Sequence, residues 1–346
     1  MSGGVDSSVA AALLVRQGHP VIGMMLRLWS EPGSEADNRC CTPDAMAQAR
    51  RVAALLGIPF YAVDAQEIFR STVVQAFIDG YTKGETPNPC LTCNRQVRWD
   101  FLLKHALALG AQYLATGHYV RLRQHPSQGF QVLRAGDERK DQSYVLHVLN
   151  QQQLSHALFP LGELTKPQVR QLAAEMGLPV AERPDSQDLC FLGAGDYRQF
   201  LLRNAPQVHT PGPILDRLGQ QIGEHQGLAF YTIGQRKGLG VPSATPLYVL
   251  AKDLPRNALI VGGIDELGLS ELQAHNINWI SGRAPASPLR AQVKIRYKAT
   301  PAWAEIIPLG EQAAQVRFEQ PQRDITPGQA AVFYSEDVCL GGGMIK

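Results

Sequence analysis

The seven residues Ser2-Gly3-Gly4-Val5-Asp6-Ser7-Ser8 constrain this chain more than any other stretch, because they set two glycines and three hydroxyls at the start of a helix. Glycine has no Cβ, so an anion can approach the backbone amides closely. The helix that follows aims its unpaired N–H groups at the same point. Short Gly/Ser runs are common, and in isolation an ordinary turn with a Ser or Asp helix cap explains one equally well. The surroundings distinguish this one. Ser8 to Gly18 reads as a helix closed by glycine, and Pro20 to Trp29 is a nearly continuous apolar run. Asp44 to Leu56 is an amphipathic helix stopped by Gly57, and Pro59 to Asp64 is a strand. Helices over Glu67 to Tyr81 and Asn94 to Leu109 follow, then a strand over Gln112 to Val120. The alternation predicts an α/β fold, a Rossmann-like parallel sheet covered by helices. In that setting the run is a phosphate loop, with Asp6 placed to cap the helix or help hold Mg²⁺.

No GxxxxGK[ST] segment occurs, so the lysine that serves γ-phosphoryl transfer is missing. The loop instead resembles that of the ATP pyrophosphatases, which split ATP between the α and β phosphates. Such enzymes attach AMP to a substrate oxygen and make it a leaving group.

The 346 residues are 45% hydrophobic and 18% charged, enough for a buried core and for two or three domains. No apolar run approaches the roughly 20 residues of a membrane helix, and Met1 leads straight into polar residues, so a cytoplasmic protein without a membrane partner is expected. Six cysteines in a reducing compartment point to catalysis or metal binding before disulfides. A net charge of +2 selects no partner, and each basic pair, such as Arg121/Arg123 or Arg236/Lys237, reads alone as a solvated face. Past Asn204 glycine and proline punctuate short segments. Ala291 to Tyr297, Ala313 to Phe318 and Ala330 to Phe333 alternate as strands do. The expected domains are residues 1–204, a small β-rich unit over 205–266 and a β-barrel over 267–346.

Thr86-Pro87-Asn88-Pro89-Cys90-Leu91-Thr92-Cys93-Asn94 sets two thiols just ahead of the expected helix, where its positive end favours a Cys93 thiolate. A third thiol, Cys190, lies in Asp185-Ser186-Gln187-Asp188-Leu189-Cys190-Phe191. A lone CxxC can be half of a zinc site, but four ligands are needed and no second CxxC exists. Three cysteines can instead hold an iron–sulfur cluster with one open iron, or work as a nucleophile and a persulfide carrier. The adjacent Cys40 and Cys41 read as accessory, and Cys339, within Val338-Cys339-Leu340, as core.

These motifs, in this order, resemble those of the bacterial tRNA-specific 2-thiouridylases. The shared features are the loop, TPNPCLTCN, Ala115-Thr116-Gly117-His118-Tyr119, Lys140-Asp141-Gln142-Ser143, the Cys190 segment, Tyr231 to Gly240 and Cys339 to Gly343. The resemblance spans essentially the whole chain. It implies that ATP adenylates O2 of the wobble uridine of Lys, Glu and Gln tRNAs, and that sulfur then displaces AMP to give 2-thiouridine. It implies Cys93 as nucleophile and Cys190 as persulfide carrier, joined afterwards in a transient disulfide. Ser2 to Ser8, Leu26 and Gly117 match nucleotide-contacting positions. Asn88, Pro89 and Cys90 match the segment near the target base, while His118, Lys140, Asp141, Gln142, Arg296, Tyr297 and Gln329 match other tRNA-contacting positions. Without the resemblance, His118 reads as a core or strand-end histidine. The implied sulfur donor is a cysteine desulfurase or relay protein, and the implied state is a monomer.

The best-described members carry Asp where this chain has Cys90. The CxxC form is similar to members proposed to hold a 4Fe-4S cluster, here through Cys90, Cys93 and Cys190, with hydrosulfide on the open iron in place of the persulfide. Two other readings remain at this stage. An amidating synthetase of the same loop class has no use for Cys93 and Cys190, and a non-catalytic tRNA-binding or iron–sulfur protein would consume no ATP.

A phosphate loop of this class follows a buried strand, and here only Met1 precedes it, as if the start had been assigned too late. The 346-residue form is therefore expected to bind ATP more weakly than a form extended upstream by one strand. Equal affinity in a direct titration of the two would show that such a strand does not matter.

Overall fold

The computed structural model describes residues 1–31, 42–184, 189–192 and 196–346. Cys40, Cys41 and the Asp185 to Asp188 part of the Cys190 motif lie outside them. The Ser2–Ser8 loop runs directly into a helix over Val5–Arg16, whose Val5, Val9 and Ala10 are buried. They pack against Val169 and Ala173 of the helix Lys166–Glu175, with Tyr119 and Leu161 in the same cluster. Strands β1 (Gly23–Arg27) and β2 (Phe60–Asp64) pair in parallel, Met24 opposite Tyr61. The chain then forms β3 (Leu114–Ala115), a hairpin of β4 (Arg121–His125) and β5 (Gly129–Leu133), and β6 (Ala157–Leu158). β3 and β6 form a second parallel pair. A cleft of about 1110 Å³ separates the two pairs and is lined by residues of both.

Two expectations shift here. The strand expected over Gln112 to Val120 pairs only at Leu114–Ala115. Beyond it the Tyr119 amide turns to donate to Gln142 Oε1 at 2.9 Å. The helix expected from Asn94 begins at Pro89 instead. The Asn88 side chain accepts from the Cys90 amide at 3.2 Å and proline takes the first helical position, a pairing suited to a helix start. The following Cys93–Leu102 stretch winds as a π-helix, a form found mostly as short bulges near functional sites.

β7 (Gly212–Leu215), β8 (Gln221–His225), β9 (Tyr248–Asp253) and β10 (Ala258–Gly262) make a separate sheet in the order β8-β7-β10-β9. The last six strands are β11 (Leu269–Trp279), β12 (Leu289–Lys294), β13 (Ala302–Pro308), β14 (Ala313–Gln322), β15 (Ala330–Ser335) and β16 (Val338–Ile345). They run β11-β14-β13-β12-β15-β16, and β16 pairs back onto β11 to close a barrel. Leu272, Val293, Ile306, Val316 and Phe333 fill it. Closure needs bare backbone at Gly341: φ is +144°, and a Cβ there would meet Asn278 O at 2.2 Å.

The β4–β5 hairpin leaves the first domain to extend the barrel sheet, with Leu133 opposite Val338 and Val132 opposite Cys339. Around that seam polar groups are buried in pairs. Asn278 Nδ2 donates to His147 O and Leu149 O at 2.6 and 2.8 Å, and Tyr144 Oη donates to Ala330 O at 3.0 Å. His147 is itself buried, its Nδ1 2.7 Å from Tyr144 O. Burial pulls its imidazole down to about 4, with the Tyr144 carbonyl opposing and Arg95 reinforcing the shift. A folded histidine that resists protonation contributes stability above its unfolded value of 6.5, and that contribution is lost as pH falls toward 4. The loss should run at about 1.4 kcal/mol per pH unit. Denaturant midpoints between pH 7 and 5 should show the slope, and His147→Gln, which keeps a donor for Tyr144 O, should flatten it.

Candidate active site

The loop owes its shape to three close approaches. Gly3 has φ +71°, and a Cβ on it would meet Ala45 O of the helix Pro43–Leu55 at 2.3 Å. Arg183 ties the same turn down, Nη1 donating to Gly3 O at 3.2 Å and Nη2 lying 3.0 Å from the Asp44 carboxylate. Gly117 backs the loop from β3's end, where a Cβ would meet Ser7 N at 2.7 Å. Gly4 is the helix cap and no side chain caps it. The amides of the first turn are therefore left for an anion, as the sequence pattern implied.

Asp6 does not cap the helix. Its carboxylate accepts from Lys166 Nζ on Oδ1 and Oδ2 at 2.7 and 2.8 Å, and from Tyr119 Oη on Oδ1 at 2.6 Å. Val5 and Ser8 are buried and face the core, with Ser8 Oγ donating to Gly4 O at 2.9 Å. Ser2, Asp6, Ser7, Leu26 and Gly117 do line the cleft. Its volume suits a nucleotide-sized ligand. Apolar Leu14, Ile22 and Leu109 line it as well.

The thiols separate by burial. Cys90 is exposed on the first helical turn. Cys93 sits a turn inside the helix, 8% exposed, so the favoured position beside the helix start belongs to Cys90. Cys93 packs in a cluster with Phe69, Phe77, Phe191 and Phe200, and half-buried Cys190 packs against the same cluster. Phe191, next to Cys190, meets Phe77 edge-on at 5.2 Å. Cys93 and Cys190 thus share one apolar wall. Among the described residues, no three His, Cys, Asp or Glu side chains gather closely enough to hold a metal ion. Cys339 is buried against β5, and burial pushes its thiol up to about 12.

The positions matched to tRNA contacts are largely engaged within the protein. His118 is buried, its Nδ1 2.8 Å from Thr116 Oγ1, and burial with the Arg98 charge pulls it down to about 3. Asp141 is buried and accepts from Ala135 N, Ser143 N and Ser143 Oγ. Gln142 holds the Tyr119 amide, Arg296 donates to Ile233 O and Thr326 Oγ1, and Gln329 Nε2 donates to Thr86 O at 2.7 Å. Tyr297 is half-buried; burial raises its hydroxyl, helped by the negative charges of Asp141 and Cys90. Lys294 Nζ lies 5.7 Å from the Tyr297 ring centre.

Sequence reasoning missed Lys166, Tyr119 and Arg183. Thr165-Lys166-Pro167 carries a helix-start signal, with a capping box at Thr165, but nothing local points it toward Asp6.

Residues 1–194 match the family described as tRNA methyl transferase HUP domain, 198–263 the PRC-barrel domain of the same name and 269–345 an aminomethyltransferase β-barrel domain. The tRNA-specific 2-thiouridylase of Magnetococcus marinus is 49% identical over all of this chain and 97% of its own length. The chain belongs to that family. The corresponding proteins of Roseiflexus castenholzii and Symbiobacterium thermophilum are 48% and 49% identical, again over the whole chain and over 97% and 90% of theirs. Within this family the Gly117 contact gives a sharp test. Gly117→Ala must push Ser7 and Asp6 away from β3, so ATP affinity should fall by roughly tenfold or more, while the core-packing cost stays within about 1–3 kcal/mol. Isothermal titration and a thermal melt of the same variant check both halves.

Proposed function

We propose that this chain is an ATP-dependent tRNA 2-thiouridylase, and the observation that carries the reading is a glycine–serine loop at an uncapped helix start in the same domain as two thiols that pack on one apolar cluster. Methyl transfer, the word in two of the domain descriptions, has no use for either feature. The proposed substrates are Lys, Glu and Gln tRNAs, and the protein acts as a cytoplasmic monomer. No helix among the described residues is long and apolar enough to cross a membrane.

ATP enters with its phosphates at the loop amides, Ser2 and Ser7, and its base toward Leu26 and Gly117. Mg²⁺ arrives on the triphosphate, since Lys166 and Tyr119 already occupy the Asp6 carboxylate. Uridine O2 attacks the α-phosphorus and the Pα–O bond to pyrophosphate breaks. The terminal sulfur of a Cys190 persulfide, loaded by a cysteine desulfurase or relay protein, then bonds to C2, and AMP leaves. Cys93 thiolate attacks Cys190 Sγ. The electron pair of the broken S–S bond goes to the sulfur on C2, giving 2-thiouridine and a Cys93–Cys190 disulfide for an external thiol to reduce. Asn88, Pro89 and Cys90, with His118, Lys140, Asp141, Gln142, Arg296, Tyr297 and Gln329, form the tRNA-facing side in this reading. Domains 1–204, 205–266 and 267–346 divide the work.

A 4Fe-4S cluster on Cys90, Cys93 and Cys190 is the other fate of the CxxC. Among the described residues no three such side chains gather closely enough to hold a metal ion. No step is routed through one.

With ATP-Mg, sulfur donor and tRNA, digestion of the RNA should yield 2-thiouridine, and Cys93→Ser and Cys190→Ser should each abolish it. Absence of 2-thiouridine from every tRNA with an active donor would defeat the proposal. Iron and sulfide found with activity after anaerobic purification would replace the persulfide by the cluster.

A further inference from the structure

Among the described residues lining the cleft, Arg98 is the only lysine or arginine. Asp6 is the only Asp or Glu there, and its carboxylate is held by Lys166 and Tyr119. Arg98 comes from the helical stretch that begins at Pro89, ahead of Cys90, and runs without a break to Ala108. That stretch has two working faces. Cys93 and Val97 belong to the aromatic cluster, whereas Arg98, Leu102 and Ala106, at helical spacing, line the cleft. Of these cleft residues Arg98 is the nearest in sequence to Cys93. The two regions also share a wall, since Leu28 is buried in the Cys93 cluster and lines the cleft as well. The Arg98 charge is felt at His118, another cleft residue, where it adds to burial in holding the imidazole neutral.

We infer that Arg98 is a catalytic residue of this enzyme, holding the α-phosphate of ATP through both the adenylation and the sulfur step. Uridine O2 bonds to the α-phosphorus as the bond to pyrophosphate breaks, and the non-bridging oxygens carry negative charge throughout. Sulfur then bonds to C2, the C2–O2 bond breaks, and its electron pair stays on the oxygen that leaves with AMP. Both steps leave charge on the α-phosphate, and a guanidinium meets it with paired N–H donors and no proton to lose. The outer phosphates have gone before the sulfur step begins, so a partner for the AMP leaving group must act at the α-phosphate itself. The helix supplies the second half of the argument. In the adenylated base C2 is joined to that phosphate through a single oxygen. A cation that fixes the phosphate beside this helix therefore also fixes C2 close to the face that carries Cys93.

The inference rests on the adenylation reading, and the test keeps the two apart. The intact chain, Arg98→Met, Arg98→Gln and Arg98→Lys are titrated with AMP and with inorganic pyrophosphate. Each is then assayed in a single turnover with saturating ATP-Mg, tRNA and loaded sulfur donor. For Arg98→Met and Arg98→Gln, AMP affinity should fall by roughly tenfold or more while pyrophosphate binding stays within about twofold. The rate of 2-thiouridine formation should fall by roughly a hundredfold, as when one transition-state donor is removed. Arg98→Lys keeps the charge and should recover part of both losses, and Arg98→Gln carries the comparison if Arg98→Met does not fold. Equal losses for AMP and pyrophosphate would make Arg98 a packing residue of the cleft and overturn the inference. Unchanged AMP affinity would overturn it too, as would an Arg98→Met rate equal to that of Arg98→Lys. If the intact chain makes 2-thiouridine and every variant keeps its rate, the inference falls while the adenylation reading survives. If the intact chain makes none and binds neither ligand, both fall.

Discussion

The helix that carries Cys90 and Cys93 follows directly on residues 84–86, which are gripped from the other domains. Thr86 N donates to Pro327 O at 2.9 Å, Gln329 Nε2 donates to Thr86 O, and Thr86 Oγ1 donates to Thr232 Oγ1 at 3.4 Å. Lys252 Nζ donates to Gly84 O at 2.9 Å, and burial holds that amine down at about 8. The barrel contributes Pro327 and Gln329, and the middle sheet and its approach contribute Thr232 and Lys252. Four bonds from two other domains thus fix the chain just before Asn88 caps the helix that carries Cys90 and Cys93. Gly328 permits the approach, since a Cβ there would meet Thr86 N at 2.9 Å. The thiols are placed by the assembly of the domains as much as by their own helix.

The same logic applies to the residues matched to tRNA contacts. Arg296 spans from the barrel to Ile233, Gln329 to Thr86, and the Asp141–Ser143 pair reaches Tyr334 through Ser143 Oγ at 3.1 Å. These are domain-to-domain bonds made by buried or half-buried groups, and losing one partner would leave the other unsatisfied. The β4–β5 hairpin locks the barrel to the first domain.

The loop, the helix and strand alternation and the β-rich second half were readable because each depends on neighbours in sequence: glycine spacing, caps and alternation. The helix start at Pro89 was legible too, from Asn88 and the proline that follows it. The pairing of β5 with β16 joins residues about 200 apart, and no local pattern specifies it. Lys166 escaped for the same reason: a lysine at a helix start looks ordinary until the fold sets it against Asp6. His118 differs from what its motif suggests about exposure. Its motif matched an RNA-contacting position, yet the side chain is buried and held neutral, as a strand-end histidine would be.

The apolar wall around Cys93 and Cys190 has a chemical reason in the proposed reaction. Once O2 carries AMP, water and sulfur compete for the same carbon, and attack by water merely returns uridine. Fixed burial tilts that competition. Cys93 is buried in a cluster that includes Phe69, Phe77, Phe191 and Phe200, and half-buried Cys190, whose persulfide bonds to that carbon in the proposed reaction, packs against the same cluster. An exposed Cys93 would gain reactivity toward small oxidants and lose this selection. Burial of Cys93 and exposure of Cys90 one turn earlier give the proposed reaction a dry position for the sulfur step and an accessible thiol beside it.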